Sequence, residues 1–186
     1  MPAHGGCSAR AVLAAGCWLL AAAVSGCGYT FRGNIPGHLH TVYIQPFTNR
    51  IDLTAEPTST SRYKLYRPRL ESDLTIKVVD RFQFDGNFRP ANPDRADAML
   101  VGELVEFRRE PLRTARTGNV EEYRLSIVVN AEFRDLRKHI VMWSEQLVGD
   151  ATFFELGARV EAESVALDRA MEDVARRIVE RAVEGW

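Results

Sequence analysis

The chain has 186 residues, enough for one domain of ordinary size together with a short leader. Its 24 basic and 25 acidic residues nearly cancel, whereas nucleic-acid binders carry a strong basic excess, so that class is excluded. Hydrophobic residues make up 46% of the chain and charged residues 26%, a composition typical of globular rather than disordered proteins.

The amino-terminal segment has the features of a secretion signal. Residues 11–24 are largely apolar and follow Arg10, the only full side-chain charge in the segment before them. Ser25 and Gly26 supply the small side chains that a signal peptidase requires, and Cys27 follows directly. This order is typical of a bacterial lipoprotein, whose cysteine is acylated and becomes the mature amino terminus.

The pattern predicts a cleaved signal peptide over residues 1–26, a lipidated tether over 27–40 and a single domain over 41–186. The predicted cleavage motif consists of Val24, Ser25 and Gly26. Cys27 is predicted to carry an S-diacylglycerol group and an N-acyl group.

Two other interpretations of the leader were weighed against this one. A transmembrane anchor needs roughly 20 apolar residues, and this run is shorter. Cleavage before Cys17 would leave only a few apolar residues after Arg10, and Cys7 would leave with the leader. With Cys27 acylated, the mature chain holds no other cysteine, so we expect its stability to come from its core or from a partner.

The first part of the predicted domain contains a strand, a loop and a helix. Residues 41–47 alternate as a strand that places Val42 and Ile44 on one side and Tyr43 and Phe47 on the other. Residues 52–66 are rich in Thr, Ser and Pro and are predicted to form a loop.

A helix is predicted to begin near Pro68, because Leu70, Leu74 and Val78 recur at helical spacing beyond it. A loop over residues 85–94 follows. The next strand, 98–108, has apolar residues on both sides, with Phe107 opposite Leu100 and Leu104, which predicts an inner strand.

The clearest strand covers residues 123–134, where apolar and polar side chains alternate and only Val128 breaks the pattern. A fourth strand over 140–149 carries Trp143. The last element is an amphipathic helix over about 158–183. The order β-α-β-β-β-α predicts an α+β fold, a two-layer sandwich in which two amphipathic helices cover one face of a four-stranded mixed sheet.

Catalytic and metal-binding motifs are absent from the sequence, so no enzyme, cofactor or metal site is predicted. The pair His38-x-His40 lacks an accompanying acid or cysteine at ligand spacing. Several arginines follow the second long strand, and their planar forks suit phosphate groups, including those of an anionic lipid. The candidate lipid contacts are Arg108, Arg109, Arg113 and Arg116; ordinary surface charge is the alternative.

Several short motifs in order resemble the LptE family, the lipopolysaccharide-assembly lipoproteins of Gram-negative bacteria. The motifs that carry the resemblance are Cys27-Gly28-Tyr29-x-Phe31-Arg32-Gly33, Val42-x-Ile44-x-Pro46-Phe47-x-Asn49, Leu70-Glu71-x-x-Leu74-Thr75 and Ala96-Asp97-x-x-Leu100-x-Gly102-x-Leu104. Trp143 and a long final helix complete the pattern. The stretch 52–66 is longer than is usual for this family.

The resemblance implies a lipid-anchored protein at the periplasmic face of the outer membrane. It implies that the chain plugs the β-barrel LptD, assists the assembly of that barrel and takes part in lipopolysaccharide transport, with direct lipopolysaccharide binding in some members. Gly28 is compatible with sorting to the outer membrane. Two alternatives stay open: a lipid-binding lipoprotein with an interior cavity, and an accessory lipoprotein of another envelope transport or secretion complex.

Overall fold

The structure is a computed structural model that describes residues 36–51, 63–64, 67–116, 118–156 and 160–184. The strands are β1 (Thr41–Ile44), β2 (Thr48–Asn49), β3 (Tyr63–Lys64), β4 (Arg89–Pro90), β5 (Ala98–Thr114), β6 (Val120–Asp135) and β7 (Ile140–Phe154). The helices are α1 (Leu70–Asp85) and α2 (Glu163–Glu184), and a 3₁₀ turn covers Pro93–Arg95. The predicted α+β fold with a mixed sheet and two helices is confirmed.

The strands form one sheet in the order β4-β1-β5-β6-β7, and β2 and β3 also pair with β5. β1 runs parallel to both β4 and β5, because α1 and the segments around it provide the crossover. β5, β6 and β7 form an antiparallel meander. The sheet differs from the predicted four strands by β2, β3 and β4, which have two residues each.

The central strand β6 follows the predicted alternation. Leu125, Ile127, Val129, Ala131 and Phe133 are buried on one side, and they pair on both flanks with β5 and β7. This side of the sheet forms the core of the domain together with the two helices.

A β-bulge in β5 corrects one predicted side-chain direction. The register with β6 shifts between Leu104 and Glu106, so one extra residue is accommodated there. Phe107 therefore lies on the same buried side as Leu104 rather than on the opposite side, and it pairs with Ile127. The alternation of side chains along one strand cannot show such an insertion, because a single extra residue inverts the predicted side of the sheet for every residue after it.

Helix α1 presents the predicted stripe to the core, and Phe82 continues it. Leu70, Leu74, Val78 and Phe82 are fully buried. The helix ends at Gly86, whose φ of 77° is the left-handed conformation that glycine adopts without strain.

Helix α2 begins at Glu163, later than the predicted start near residue 158. Val160 precedes the helix and its side chain is 62% exposed, so it does not belong to the buried stripe. The helix crosses the sheet so closely at Gly149 that a Cβ atom there would lie 2.4 Å from the Ala170 carbonyl oxygen.

Phe47 occupies a second close contact. The chain leaves β1 and turns, so that the Phe47 ring lies over Gly102, where a Cβ atom would be 2.2 Å from the ring. Phe47 is 4% exposed and belongs to the core with Val42 and Ile44, which corrects its predicted position on the side of Tyr43. Its backbone N–H donates to Thr75 Oγ1 of α1, which fixes that helix over the same face of the sheet as α2.

Candidate partner and lipid contact surfaces

The chain enters the fold at what we call the N-terminal corner, which comprises residues 36–41, Arg89–Pro90, Pro93–Arg95 and 135–139. Two buried carboxylates hold this corner together. Asp97 Oδ2 accepts hydrogen bonds from the backbone N–H groups of His40 and Thr41 at 3.0 and 3.1 Å and from Thr41 Oγ1 at 2.9 Å. Arg137 donates to the other oxygen of Asp97. β1 is thereby fixed to the start of β5 and to the β6–β7 turn.

The donors around Asp97 favour its ionised form. Burial by itself would raise the pKa of this carboxyl, but the hydrogen bonds from His40, Thr41 and Arg137 outweigh burial and lower the pKa from 3.8 to about 2. Asp97 is therefore a charged group whose role is structural at neutral pH.

Asp135 is the second buried carboxylate that holds the same corner together. Its Oδ2 lies 2.6 Å from His38 Nε2, and its Oδ1 accepts the backbone N–H groups of Arg137 and Lys138. Burial opposes ionisation, but the bond to His38 and the two backbone donors lower the pKa of Asp135. The sequence indicates no acid at ligand spacing from His38 and predicts no role for either aspartate, so these contacts appear only in the folded chain.

Arg109, one of the four predicted lipid contacts, is engaged inside the domain. Its guanidinium lies 3.8 Å from the centre of the Tyr123 ring and binds Glu155 and Glu163 at 2.7 and 2.9 Å. Burial opposes the charge, but the two carboxylates outweigh it and raise the pKa of Arg109. The side chain thus joins three strands to the start of α2.

The other three arginines lie apart from Arg109. Arg108 points to the opposite side of the sheet, between Glu106 and Glu110 at 3.7 and 3.8 Å. Arg113 is 63% exposed, with a long contact of 3.9 Å to Glu122, and Arg116 is exposed in the β5–β6 turn. Only Arg113 and Arg116 of the predicted set share an exposed position, which we call the hairpin tip (residues 113–119).

The side of β5, β6 and β7 opposite the helices is called the open face, and no described helix covers it. It carries Glu106, Val128 and Val148 in register and a groove of about 420 Å³ lined by residues such as Asn130 and Gln146. Its polar groups bond to each other: Ser126 to Asp150 at 2.5 Å, Gln146 to Asn130 at 3.1 Å, and Arg134 to Glu132. Val128 lies between Glu106 and Val148 on this face and is 4% exposed, so the apolar residue that breaks the pattern of β6 is a buried one.

Two further depressions lie on the surface of the described part of the chain. One, of about 270 Å³, lies between α1 and α2 beside Phe84, which is 82% exposed. The other, of about 450 Å³, is lined by Pro90, Ala91, Asn92 and Arg95. Among the described residues, no three His, Cys, Asp or Glu side chains are grouped to hold a metal, and neither helix is long and apolar enough to cross a membrane.

Several sequence predictions lie outside the described residues. These are the signal peptide, the cleavage motif Val24, Ser25 and Gly26, and the acylation of Cys27. Most of the Thr/Ser/Pro-rich stretch 52–66 lies there too, except Tyr63–Lys64, which pair with Arg108 and Arg109 of β5. All of these assignments remain predictions.

Comparison with known proteins gives a family and a fold. The model of the LptE family, described as lipopolysaccharide-assembly, matches residues 39–182. The fold is similar to that of the hypothetical protein CT253 from Chlamydia trachomatis, with a TM-score of 0.51 and 15% identity over 80% of this chain and 97% of that chain. Protein XCC0632 from Xanthomonas campestris gives a TM-score of 0.51 and 16% identity over 81% and 90%. A sequence comparison with curated proteins gives no match.

Proposed function

This chain belongs to the LptE family of lipopolysaccharide-assembly proteins, and from that premise we propose that it is a lipid-anchored plug and assembly partner of an LptD-type outer-membrane β-barrel. The family is non-enzymatic, so the chain is not an enzyme. The proposed location is the periplasmic face of the outer membrane, and the proposed process is lipopolysaccharide transport.

The open face is the observation that carries the plug proposal. The lumen of a large outer-membrane barrel is polar, and a protein that fills it must present polar groups without a large apolar patch. The open face has this character, because its polar groups form ion pairs and hydrogen bonds and Val128 is only 4% exposed. The opposite side of the sheet is occupied by the two helices and the packed core.

The alternative of a lipid carrier is less well supported. A carrier needs an interior apolar cavity for acyl chains, usually several hundred Å³ in volume. The three depressions lined by described residues lie on the surface, and the groove on the open face is lined mainly by charged and amide side chains such as Glu132 and Gln146. The protein that is recovered together with this chain distinguishes an accessory role in another envelope complex from the barrel role.

Affinity purification from detergent-solubilised membranes tests the plug proposal. The wild-type chain should recover a large β-barrel protein. Ser144→Arg together with Gln146→Arg, both on the open face, should reduce that recovery at least tenfold, because two long cationic side chains would enter the contact. Gln83→Arg, on the exposed surface of α1, is the matched control and should change nothing. Undiminished recovery of the barrel by the open-face variant would remove this face from the contact, and recovery of a different machine would support the accessory role.

The membrane anchor is proposed to be Cys27. Several acyl chains together hold a protein on a membrane in effect permanently, whereas a single chain binds only weakly. Cys27→Ala should abolish the incorporation of labelled fatty acid and move the protein into the soluble fraction. Cys17→Ala is the control and should leave both unchanged. Continued labelling of the Cys27 variant would exclude this residue as the anchor.

Direct lipopolysaccharide binding is proposed to involve the hairpin tip. Arg113 and Arg116 are the two predicted arginines with exposed side chains, and arginine binds phosphate in a bidentate manner. The double change Arg113→Glu and Arg116→Glu should weaken binding of purified lipopolysaccharide at least tenfold. Arg177→Glu, on the exposed side of α2, is the control. Equal affinity of the tip variant and the wild type would exclude the tip.

A further inference from the structure

The N-terminal corner carries exposed basic and apolar side chains at the place where the tether enters the domain. We propose that this corner binds the headgroups of anionic phospholipids, so that the domain docks on the membrane to which it is tethered. The inference rests on the anchor proposed above at Cys27, and it adds a second, electrostatic contact that the anchor does not require.

Three cations of the corner are exposed and free of ion pairs with described residues: Arg89, Arg95 and Lys138. Their backbone groups bond to residues 40 and 41 or to Asp135, which itself binds His38. The Arg89 N–H donates to the His40 carbonyl at 2.9 Å, and the Arg95 carbonyl accepts from Thr41 Oγ1 at 3.1 Å. The Lys138 N–H donates to Asp135 at 2.9 Å. The three charges therefore surround the point of entry of the tether.

The acids of the corner leave these cations largely uncompensated. Asp97 is saturated by His40, Thr41 and Arg137, and Asp135 by His38 and two backbone N–H groups. Both carboxylates are buried, so neither approaches the exposed cations from the solvent side. Asp94, in the 3₁₀ turn, is the exposed acid among the corner residues and opposes one of the three charges.

Apolar side chains follow the basic turn. Ile140 and Val141, the first residues of β7, are 50% and 53% exposed and come directly after Lys138 and His139. Basic residues beside exposed aliphatic ones are characteristic of surfaces that lie at the membrane interface, where the cations meet phosphate and the apolar groups enter the acyl boundary.

The length of the tether brings this corner to the bilayer. Nine residue-to-residue steps lead from Cys27 to Pro36, and at about 3.3–3.6 Å per step they span at most roughly 30 Å. The hairpin tip lies at the other end of β5, about 50 Å away at the usual strand rise. The tether therefore keeps the N-terminal corner within about 30 Å of the lipid at Cys27, whatever the orientation of the domain.

Single-cysteine fluorescence tests the contact in the mature acylated protein, whose only natural cysteine is blocked by the lipid. A probe on Asn92→Cys reports the corner, and a probe on Asn119→Cys reports the tip. Each protein is reconstituted into vesicles of phosphatidylcholine, or of phosphatidylcholine and phosphatidylglycerol at three to one, with a headgroup-labelled quencher. We expect the corner probe to be quenched several-fold more in the anionic vesicles, with the excess lost in 0.5 M salt, and the tip probe to be unaffected.

Charge reversal provides the matched comparison. One basic residue near an anionic surface contributes about fivefold to binding, so the triple change Arg89→Glu, Arg95→Glu and Lys138→Glu should remove the excess quenching. The tip triple change, which combines Arg113→Glu and Arg116→Glu with Arg124→Glu in the adjoining part of β6, should preserve it. Equal quenching of both probes would overturn the inference. So would excess quenching of the corner probe that survives the corner triple change, or that appears only when a barrel is present.

Absence of the acyl anchor and absence of headgroup binding by the N-terminal corner give different results. Without acyl chains, the protein would not stay on phosphatidylcholine vesicles at all. The unacylated chain would then be sedimented with phosphatidylglycerol vesicles, where the corner triple change should weaken binding by about a hundredfold relative to the tip triple change. Equal binding of the two variants in that assay would refute the corner contact independently of the anchor.

Discussion

Replacement of Gly149 by alanine should displace helix α2 from the sheet. The added Cβ atom would lie 2.4 Å from the Ala170 carbonyl oxygen, 2.6 Å from the Val174 nitrogen and 2.7 Å from the Val174 Cβ. Ordinary contacts are longer than about 3.4 Å, so the helix must move by close to 1 Å, and two of the three obstructing atoms belong to its backbone. A rotamer change therefore cannot relieve the overlap.

The displacement affects a helix that buries ten residues, from Ala166 to Val183. Overpacking of a core usually costs about 1–3 kcal/mol, and an obstacle made of backbone places Gly149→Ala near the upper value. For a domain of this size, a loss of about 3 kcal/mol lowers the melting temperature by roughly 6–12 °C. Chemical denaturation followed by circular dichroism, together with a thermal scan, measures both quantities.

Gly37→Ala is the matched control for this change. No atom lies within 4 Å of the Cβ position at Gly37, and its backbone has no positive φ, so the free energy of unfolding should change by less than about 0.5 kcal/mol. The change Ala170→Gly should not rescue Gly149→Ala, because the carbonyl oxygen remains. A Gly149→Ala protein as stable as the wild type would refute the close approach of α2.

Three further changes test other contacts. Gly102→Ala should destabilise the protein by about 1–3 kcal/mol, because its Cβ would meet the Phe47 ring. The double variant Gly102→Ala and Phe47→Ala should be no less stable than Phe47→Ala alone. Denaturant titration of the wild type, the two single variants and the double variant measures this. Asp97→Asn should lose about 2 kcal/mol at pH 7, because a pKa lowered from 3.8 to about 2 stabilises the fold above pH 4; the difference from wild type should vanish as the pH falls to 2, and a constant difference would contradict the assignment. Arg109→Met should lower the free energy of unfolding by about 1–3 kcal/mol, whereas Arg113→Met should change it by less than 0.5; equal effects would contradict the internal role of Arg109.

The fold could be predicted from the sequence where side-chain periodicity is a direct consequence of burial. Strand β6 is paired on both flanks and buried on one side, so its alternation is nearly complete. The three two-residue strands were missed because pairing of that length leaves no periodic pattern. Phe107 was assigned to the wrong side because the bulge at Leu104 is a property of the pairing rather than of β5 itself.

The surfaces were less predictable than the core. The sequence does not single out Asp97 or Asp135, because the groups that bind them come from residues as distant as His40 and Arg137, which only the folded chain brings near. Arg108 and Arg109 lie close to Arg113 and Arg116 along the chain, and the sequence alone therefore suggests one basic cluster. Neighbours in a strand point to opposite faces, and this separates Arg108 from Arg109.

The parallel pairing of β1 has a consequence for the order in which the domain can fold during synthesis. β1 is the first strand to be made, but the residues that pair with it belong to β4 and β5, about fifty positions later. The meander from β5 to β7 and helix α2 is contiguous in the chain, and nearby segments associate faster than distant ones. β1 therefore stays unpaired until those later strands have emerged.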